Sequence, residues 1–147
     1  MIVVIDTNVF ISSLIKTDTP PAVLFELWDE QRFQLALSEV ILTEFTRVVF
    51  YPKVRTHILQ SDAFVMERIH DLRKASLLVE GDLIVDVIKA DPTDNKFLAC
   101  AVEAQADLLV SGDEKHILPL HHFQGIPIVT PKDAVEMIQS QAITLAA

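Results

Sequence analysis

The sequence predicts an α/β domain, a three-layer α/β/α sandwich whose central sheet is parallel. Three observations carry this. Residues Ile2–Ile5 form an unbroken apolar run, mostly β-branched and too short for a helix, which is how a strand buried on both faces reads. Short apolar runs recur at 107–110 and Ile126–Val129. The stretches between carry apolar residues at helical spacing, and strands alternating with helices build a parallel sheet covered on both sides through right-handed crossovers. The pattern sets the class without setting the order of the strands.

Asp6 closes the first strand, at the end where open α/β sheets place their ligands. Thr7 and Asn8 are suited to cap a helix that starts near Val9 and continues through Phe10, Ile11, Leu14 and Ile15. The polar stretch 16–19 breaks it. Pro20-Pro21 suits a helix start, and Leu24, Leu27 and Trp28 supply the apolar stripe. Residues 33–37 alternate as a second strand, with Ser38 as N-cap and Glu39 in the first turn beside the helix dipole. The helix after it turns Ile41, Phe45, Val48 and Val49 inward and ends at Pro52. Glu44 borders its apolar face, with Arg47 three residues on and within ion-pair reach.

A further amphipathic helix over 61–75 runs through Phe64, Val65, Ile69 and Leu72. Two apolar pieces, Leu77–Val79 and 83–85, flank Gly81-Asp82, and one or both are expected as strands. Asp91-Pro92-Thr93-Asp94 is a turn, and Asp94 opens a helix with Phe97, Leu98, Ala101 and Val102 on one side. The strand at 107–110 leads into Ser111-Gly112-Asp113 and a helical turn through Ile117 and Leu118. The last strand is Ile126–Val129, and Pro131 begins a final helix through Ala134, Val135 and Ile138.

A chain of 147 residues suits one domain, here 1–147, large enough to bury a core without staples. Half its residues are hydrophobic and mean hydropathy is +0.35, which excludes a disordered chain. No apolar run approaches the roughly 18 residues of a membrane span, and no signal peptide is evident. The single cysteine, Cys100, rules out an internal disulfide and a multi-thiolate metal site. The expected compartment is the cytoplasm. The net charge of −9 argues against tight nucleic-acid binding by phosphate contacts alone, yet acids clustered around divalent cations lower the charge in the same way.

Asp6 and Asp113 follow strands closely, so parallel strands bring both to one edge of the sheet. Asp94 can join them if the loop before its helix returns there, and Glu44 can reach inward from its helix. Each acid also has a plain structural reading. Asp94 and Asp113 are good N-caps, and Glu44 can be a solvated partner of Arg47. Clustering needs a counter-charge, because two carboxylates about 4 Å apart repel by roughly 4 kcal/mol at an effective dielectric near 20. With oxygen donors alone the fitting cation is Mg²⁺ or Mn²⁺, one ion or two. Such a site suits hydrolysis of a phosphodiester by water.

The series Asp6-Thr7-Asn8, Glu44, Asp94-Asn95-Lys96-Phe97-Leu98-Ala99-Cys100-Ala101 and Ser111-Gly112-Asp113 resembles the PIN-domain nucleases over essentially the whole chain. It looks closest to the VapC-like toxins of bacterial and archaeal toxin–antitoxin pairs. Asp-x-Asn alone is common; the four acids in order and in context are the specific part. The resemblance implies a parallel α/β sheet between helices, an often dimeric assembly, and Asp6, Glu44, Asp94 and Asp113 as an acidic quartet holding Mg²⁺ or Mn²⁺ for RNA cleavage. Asn8 and Ser111 would support the site. An antitoxin protein occupying the active-site groove would silence it. Asp91, three residues before Asp94, is open as an auxiliary ligand, with Asp94 preferred because it directly precedes the helical run.

Phosphate contacts could come from Lys96, Arg47, Lys115 and His116, each also readable as a solvated charge. His116, His121 and His122 form a second constellation, able in principle to run a metal-free ribonuclease by acid–base chemistry. Cys100, among alanines, reads as a small core residue, and the aromatics read as core. Three rival functions are weighed. A dehalogenase-like phosphotransferase wants a second Asp at position 8, where Asn8 stands. A receiver domain wants a phosphoacceptor Asp in mid-chain, which is missing. A non-catalytic PIN-fold binding module has no reason to bear the repulsion of four acids.

Overall fold

The computed structural model describes residues 1–146, with side chains through Gln141. Ala147, the last residue of the expected domain, lies outside them. Strand β1 (Ile2–Ile5) runs through the middle of the sheet, paired in parallel with β2 (Gln34–Ser38) on one side and β4 (Leu108–Val110) on the other. Its Val3, Val4 and Ile5 are completely buried. Outside β2 lies β3 (Leu77–Val79) and outside β4 lies β6 (Ile126–Val129), both parallel to their neighbours. A two-residue strand, β5 (His122–Phe123), pairs antiparallel with β6. The order is therefore β3-β2-β1-β4-β6-β5, a mixed and mostly parallel sheet in the expected α/β fold.

Helices α1 (Thr7–Ile15), α2 (Pro20–Asp29), α3 (Glu39–Val49), α5 (Asp62–Ala75), α6 (Asn95–Glu103) and α7 (Pro131–Ala146) follow the predicted periodicities. A short α4 (Pro52–Arg55) is added because Pro52, which ends α3, also opens a helical turn. Stacked rings join α1 to α3: Phe10 lies 4.6 Å from Phe45, nearly parallel. Phe10 also meets Phe25 of α2 at 5.7 Å. α6 packs against β1, β2 and β4, and its buried Ala99, Cys100 and Ala101 allow the close approach. Burial pushes the Cys100 thiol up to about 12, so it is a packing residue and not a nucleophile. Among the described residues no helix is long and apolar enough to cross a membrane.

Four local expectations change. The cap of α1 is Asp6 itself, whose extended backbone lets Oδ1 accept from the Val9 amide at 3.0 Å; Thr7 and Asn8 are already inside the helix. Asp94 makes no capping hydrogen bond, because a 3₁₀ turn (Pro92–Asp94) leads into α6. The second strand begins one residue late and takes in Ser38, which still caps α3 through Ile41. Of the two apolar pieces, Leu77–Val79 is the strand and 83–85 is not; there the Leu83 amide is held by a side chain of α6 and not by a sheet neighbour. Glu103 accepts from the amides of Gly81 and Leu83 at 3.0 and 2.9 Å.

Asn95 fixes the end of this crossover. Its Oδ1 accepts from the Val87 and Ile88 amides at 3.2 and 2.8 Å. Its Nδ2 donates to the carbonyls of Ile88 and Pro92, each at 3.0 Å. The side chain is 6% exposed, so these bonds have little competition from water. We predict that Asn95→Ala costs about 2–4 kcal/mol, since it leaves backbone groups buried and unpaired. Urea unfolding measures the loss, and amide exchange should accelerate first at Val87 and Ile88. Unchanged exchange there would show that the segment does not depend on the clamp.

Candidate active site

Three adjacent parallel strands deliver their chain to one edge: β1 into Asp6, β2 into the helix bearing Glu44, and β4 into Ser111 and Asp113. The Asn95 clamp returns 91–94 to the same edge. A cleft of about 220 Å³ results, lined by Asp6, Asn8, Glu44, Asp91, Asp94 and Asp113 among others. All four predicted acids and the auxiliary Asp91 therefore meet.

They meet in different states. Asp6 is 3% exposed. One oxygen caps α1 and the other accepts from the Ser111 hydroxyl. Burial raises its carboxyl above the usual range, against the opposing hydrogen bonds from Ser111, Val9 and Gly112. Ser111 is fully buried and also accepts from the Asp113 amide at 3.0 Å, so it supports the two acids it stands between. Asp113 does cap: its Oδ1 takes the amides of Lys115 and His116 at 2.9 and 3.0 Å.

Asp94 is raised from 3.8 to about 6, first by burial and then by the charges of Asp91 and Asp113, with Lys96 and His116 pulling it back. Asp91 is lowered instead, chiefly by the Thr93 hydroxyl that donates to it at 2.6 Å. Glu44 is the acid most fully engaged. Its Oε1 sits 2.9 Å from Lys96 Nζ and 3.8 Å from Arg47, and its Oε2 accepts from Thr7. The expected Arg47 contact exists, but Lys96 is the nearer partner.

Lys96 and Arg47 line a larger groove that shares Glu44 with the cleft and continues over Leu83 and Ile84. Lys115 is exposed on the turn after Asp113 and lines neither. The three histidines separate. Donor atoms of His116, Asp91 and Asp94 lie within 4.8 Å of one another, while His121 and His122 sit exposed at the β5 edge of the sheet. The donor set fits a divalent cation, because carboxylate oxygens and one imidazole nitrogen converge without thiols.

A family description, the PIN domain, matches residues 2–115. This chain belongs to the PIN-domain family. It is 30% identical over 141 residues to the uncharacterized protein MJ1680 of Methanocaldococcus jannaschii, covering 91% of this chain and 89% of that one. Among solved structures it resembles VapBC2 from Rickettsia felis, determined bound to a DNA fragment from its promoter, with TM-score 0.56 and 13% identity. The overlap covers 88% of this chain and 98% of that chain. At that identity the likeness speaks for the PIN fold.

Three residues of this PIN domain gain roles the sequence did not assign. Asn95 positions the Asp91–Asp94 turn, Thr7 ties α1 to Glu44, and His116 joins the acids. The first acts on backbone groups, which carry no residue-type signal. The other two depend on contacts between distant segments.

The folded state of ion-free protein holds the Asp94 proton more tightly than the unfolded chain does. Its contribution to stability is therefore fully present below about pH 4 and declines as pH rises through about 6. We predict that Asp94→Asn, in EDTA, unfolds at a higher temperature than wild type at pH 8 and at the same temperature at pH 3. The gain should be about 1 kcal/mol after discounting for solvent screening, or roughly 2–4 °C in Tm. Calorimetry at both pH values checks it; an equal offset at both would detach the effect from the carboxylate charge.

Proposed function

We propose that this PIN domain is a metal-dependent endoribonuclease that hydrolyses RNA phosphodiester bonds, the toxin component of a toxin–antitoxin pair. The observation that carries the reading is the convergence of Asp6, Glu44, Asp91, Asp94 and Asp113 on one small cleft beside two cations. Asp6, Glu44, Asp94 and Asp113 are the acids assigned to hold Mg²⁺ or Mn²⁺, with Asp91 as the auxiliary. When bound, the ion supplies charge neutralisation for the phosphate and activation of the attacking water.

The chain's own residues supply the remainder. Lys96 and Arg47, at the groove beside the cleft, bind the phosphates flanking the scissile bond. Lys115 adds a contact from the exposed turn. Ser111 keeps Asp6 in place, and Asn8, exposed at the lip of the cleft, supports the site from the first turn of α1. Asp94, whose carboxyl is raised to about 6 by burial and by the charges of Asp91 and Asp113 when no ion is bound, gains most from the ion's positive charge. Water bonds to phosphorus as the phosphorus–O3′ bond breaks, which leaves a 5′-phosphate and a 3′-hydroxyl. The ribose 2′-hydroxyl takes no part.

A protein antitoxin is the partner this reading names. The groove supports it, since exposed Ile84 and Val40 border Arg47 and Lys96 next to the acids. The VapBC2 likeness supports the same pairing. A cytoplasmic homodimer is part of the reading.

We predict that purified protein cleaves RNA with Mg²⁺ or Mn²⁺ and not with EDTA. Asp6→Asn and Asp94→Asn should each lose more than the roughly 10–100-fold typical of residues that act through a ligand. Mapping of product ends should find 5′-phosphates. Cleavage that survives EDTA and leaves cyclic phosphates would overturn the reading in favour of the histidines.

A further inference from the structure

We propose that His116 supplies a nitrogen ligand to the active-site cation, beside Asp91 and Asp94, so that the site selects Mn²⁺ over Mg²⁺. The inference rests on the metal-dependent reading above and goes beyond it by naming a ligand and an ion. The family match ends at Lys115, one residue short of this histidine.

The placement of the ring is the first support. Asp91, Asp94 and His116 each offer one donor atom, and the three lie within 4.8 Å of one another. An octahedral ion with ligands about 2.1 Å away spans about 4.2 Å between opposite positions. Neighbouring positions on such an ion lie about 3.0 Å apart, so the three donors must draw together by side-chain rotation to share one ion.

The second support is what the other acids are doing. Both oxygens of Asp6 accept hydrogen bonds, from Val9 and Ser111. Both oxygens of Glu44 are engaged by Lys96 and Thr7. Asp94, by contrast, makes no capping hydrogen bond. Asp91 accepts from Thr93, so Asp94 is the acid least committed within the protein, and it is the one His116 stands beside.

The third is how the ring is held. Asp113 fixes the backbone of the turn by accepting the His116 amide, and its other oxygen, Oδ2, lies 3.6 Å from His116 Nδ1. A carboxylate beside an imidazole favours one orientation of the ring. His116 is thereby aimed by one acid toward two others. It is only partly exposed, its side chain at 29%, so the ring is not a freely solvated surface group.

The selectivity follows from the donors. Mg²⁺ takes oxygen ligands and keeps its waters, whereas divalent first-row transition ions also bind nitrogen donors. Mn²⁺ is the member of that series that also favours carboxylate and water. Replacing one oxygen position by imidazole nitrogen should therefore cost Mg²⁺ and not Mn²⁺.

The test is binding of Mn²⁺ and Mg²⁺ alone, without RNA, by calorimetry, with pulsed electron paramagnetic resonance on the Mn²⁺ form. Wild type should bind Mn²⁺ at least about tenfold tighter than Mg²⁺ and show hyperfine coupling to a directly bound nitrogen. His116→Gln should lose that coupling and about 10–100-fold in Mn²⁺ affinity, with Mg²⁺ affinity nearly unchanged. The wild-type spectrum needs no variant, so a misfolded His116→Gln leaves the question decidable. Tight Mn²⁺ binding without nitrogen coupling, lost in Asp94→Asn, would overturn the role of His116 and leave the acidic site standing. Failure of wild type to bind either ion would overturn both readings.

Discussion

A carboxylate is buried at the end of the central strand, and much of the cleft follows from how it is kept there. Asp6 continues β1, whose Val3, Val4 and Ile5 are wholly buried between β2 and β4. Strand pairing therefore leaves it no freedom to swing out to water. Burying such a group unpaired would cost several kcal/mol, and here two donors share the cost: the first turn of α1 and the Ser111 hydroxyl. Ser111 sits at the end of β4 with its amide bonded to Val129, so it is positioned by the sheet as rigidly as Asp6 is. The same hydroxyl accepts from the Asp113 amide. One hydrogen-bond chain thus links a strand end, a helix cap and the turn that carries Asp113 and His116.

The remaining charge falls into two groups. Glu44 is neutralised in place by Lys96, with Arg47 farther off and Thr7 on its second oxygen. Asp91, Asp94 and Asp113 have no lysine or arginine so close, and burial first, then the repulsion of Asp91 and Asp113, raises the Asp94 carboxyl. Protonation and cation binding relieve the same repulsion, so the two compete at Asp94 as pH falls through about 6. The contrast with Asp91 is instructive. A neutral hydroxyl from Thr93 stabilises its charged form and holds its carboxyl low, three residues from a carboxyl held high.

The strands and most helices were legible because their signals are local. The Ile2–Ile5 run followed by Asp6 reads directly as a buried strand ending in a site, and the α3 and α5 stripes read as helices. What could not be read depends on partners far away in the chain or on backbone groups without a side-chain signature. Asn95 clamps main-chain atoms of Val87, Ile88 and Pro92, so no residue type in 83–91 announces it. Strand β5 has two residues and is flanked by left-handed backbone at His121, Gln124 and Gly125, of which only the glycine is an expected turn residue. His116 was grouped with His121 and His122 by proximity in sequence. The edge strand carries those two away while the Asp113 cap turns His116 toward the acids.

The net charge of −9 opposes an anionic substrate at long range, so any attraction must be local. Lys96 and Arg47 stand on the Glu44 side of the cleft. Lys96 is 14% exposed at its side chain and is held among Glu44, the Thr93 carbonyl and the face of Phe97. In that position its charge is largely spent on Glu44. The Thr93 carbonyl and the Phe97 ring hold the ammonium there as well, so its place does not rest on the carboxylate alone. Arg47, with its side chain 59% exposed and only a 3.8 Å contact to the same carboxylate, is the freer cation of the groove. Glu44 thus borders both the acidic cleft and the cationic groove and takes its counter-charge from the groove side.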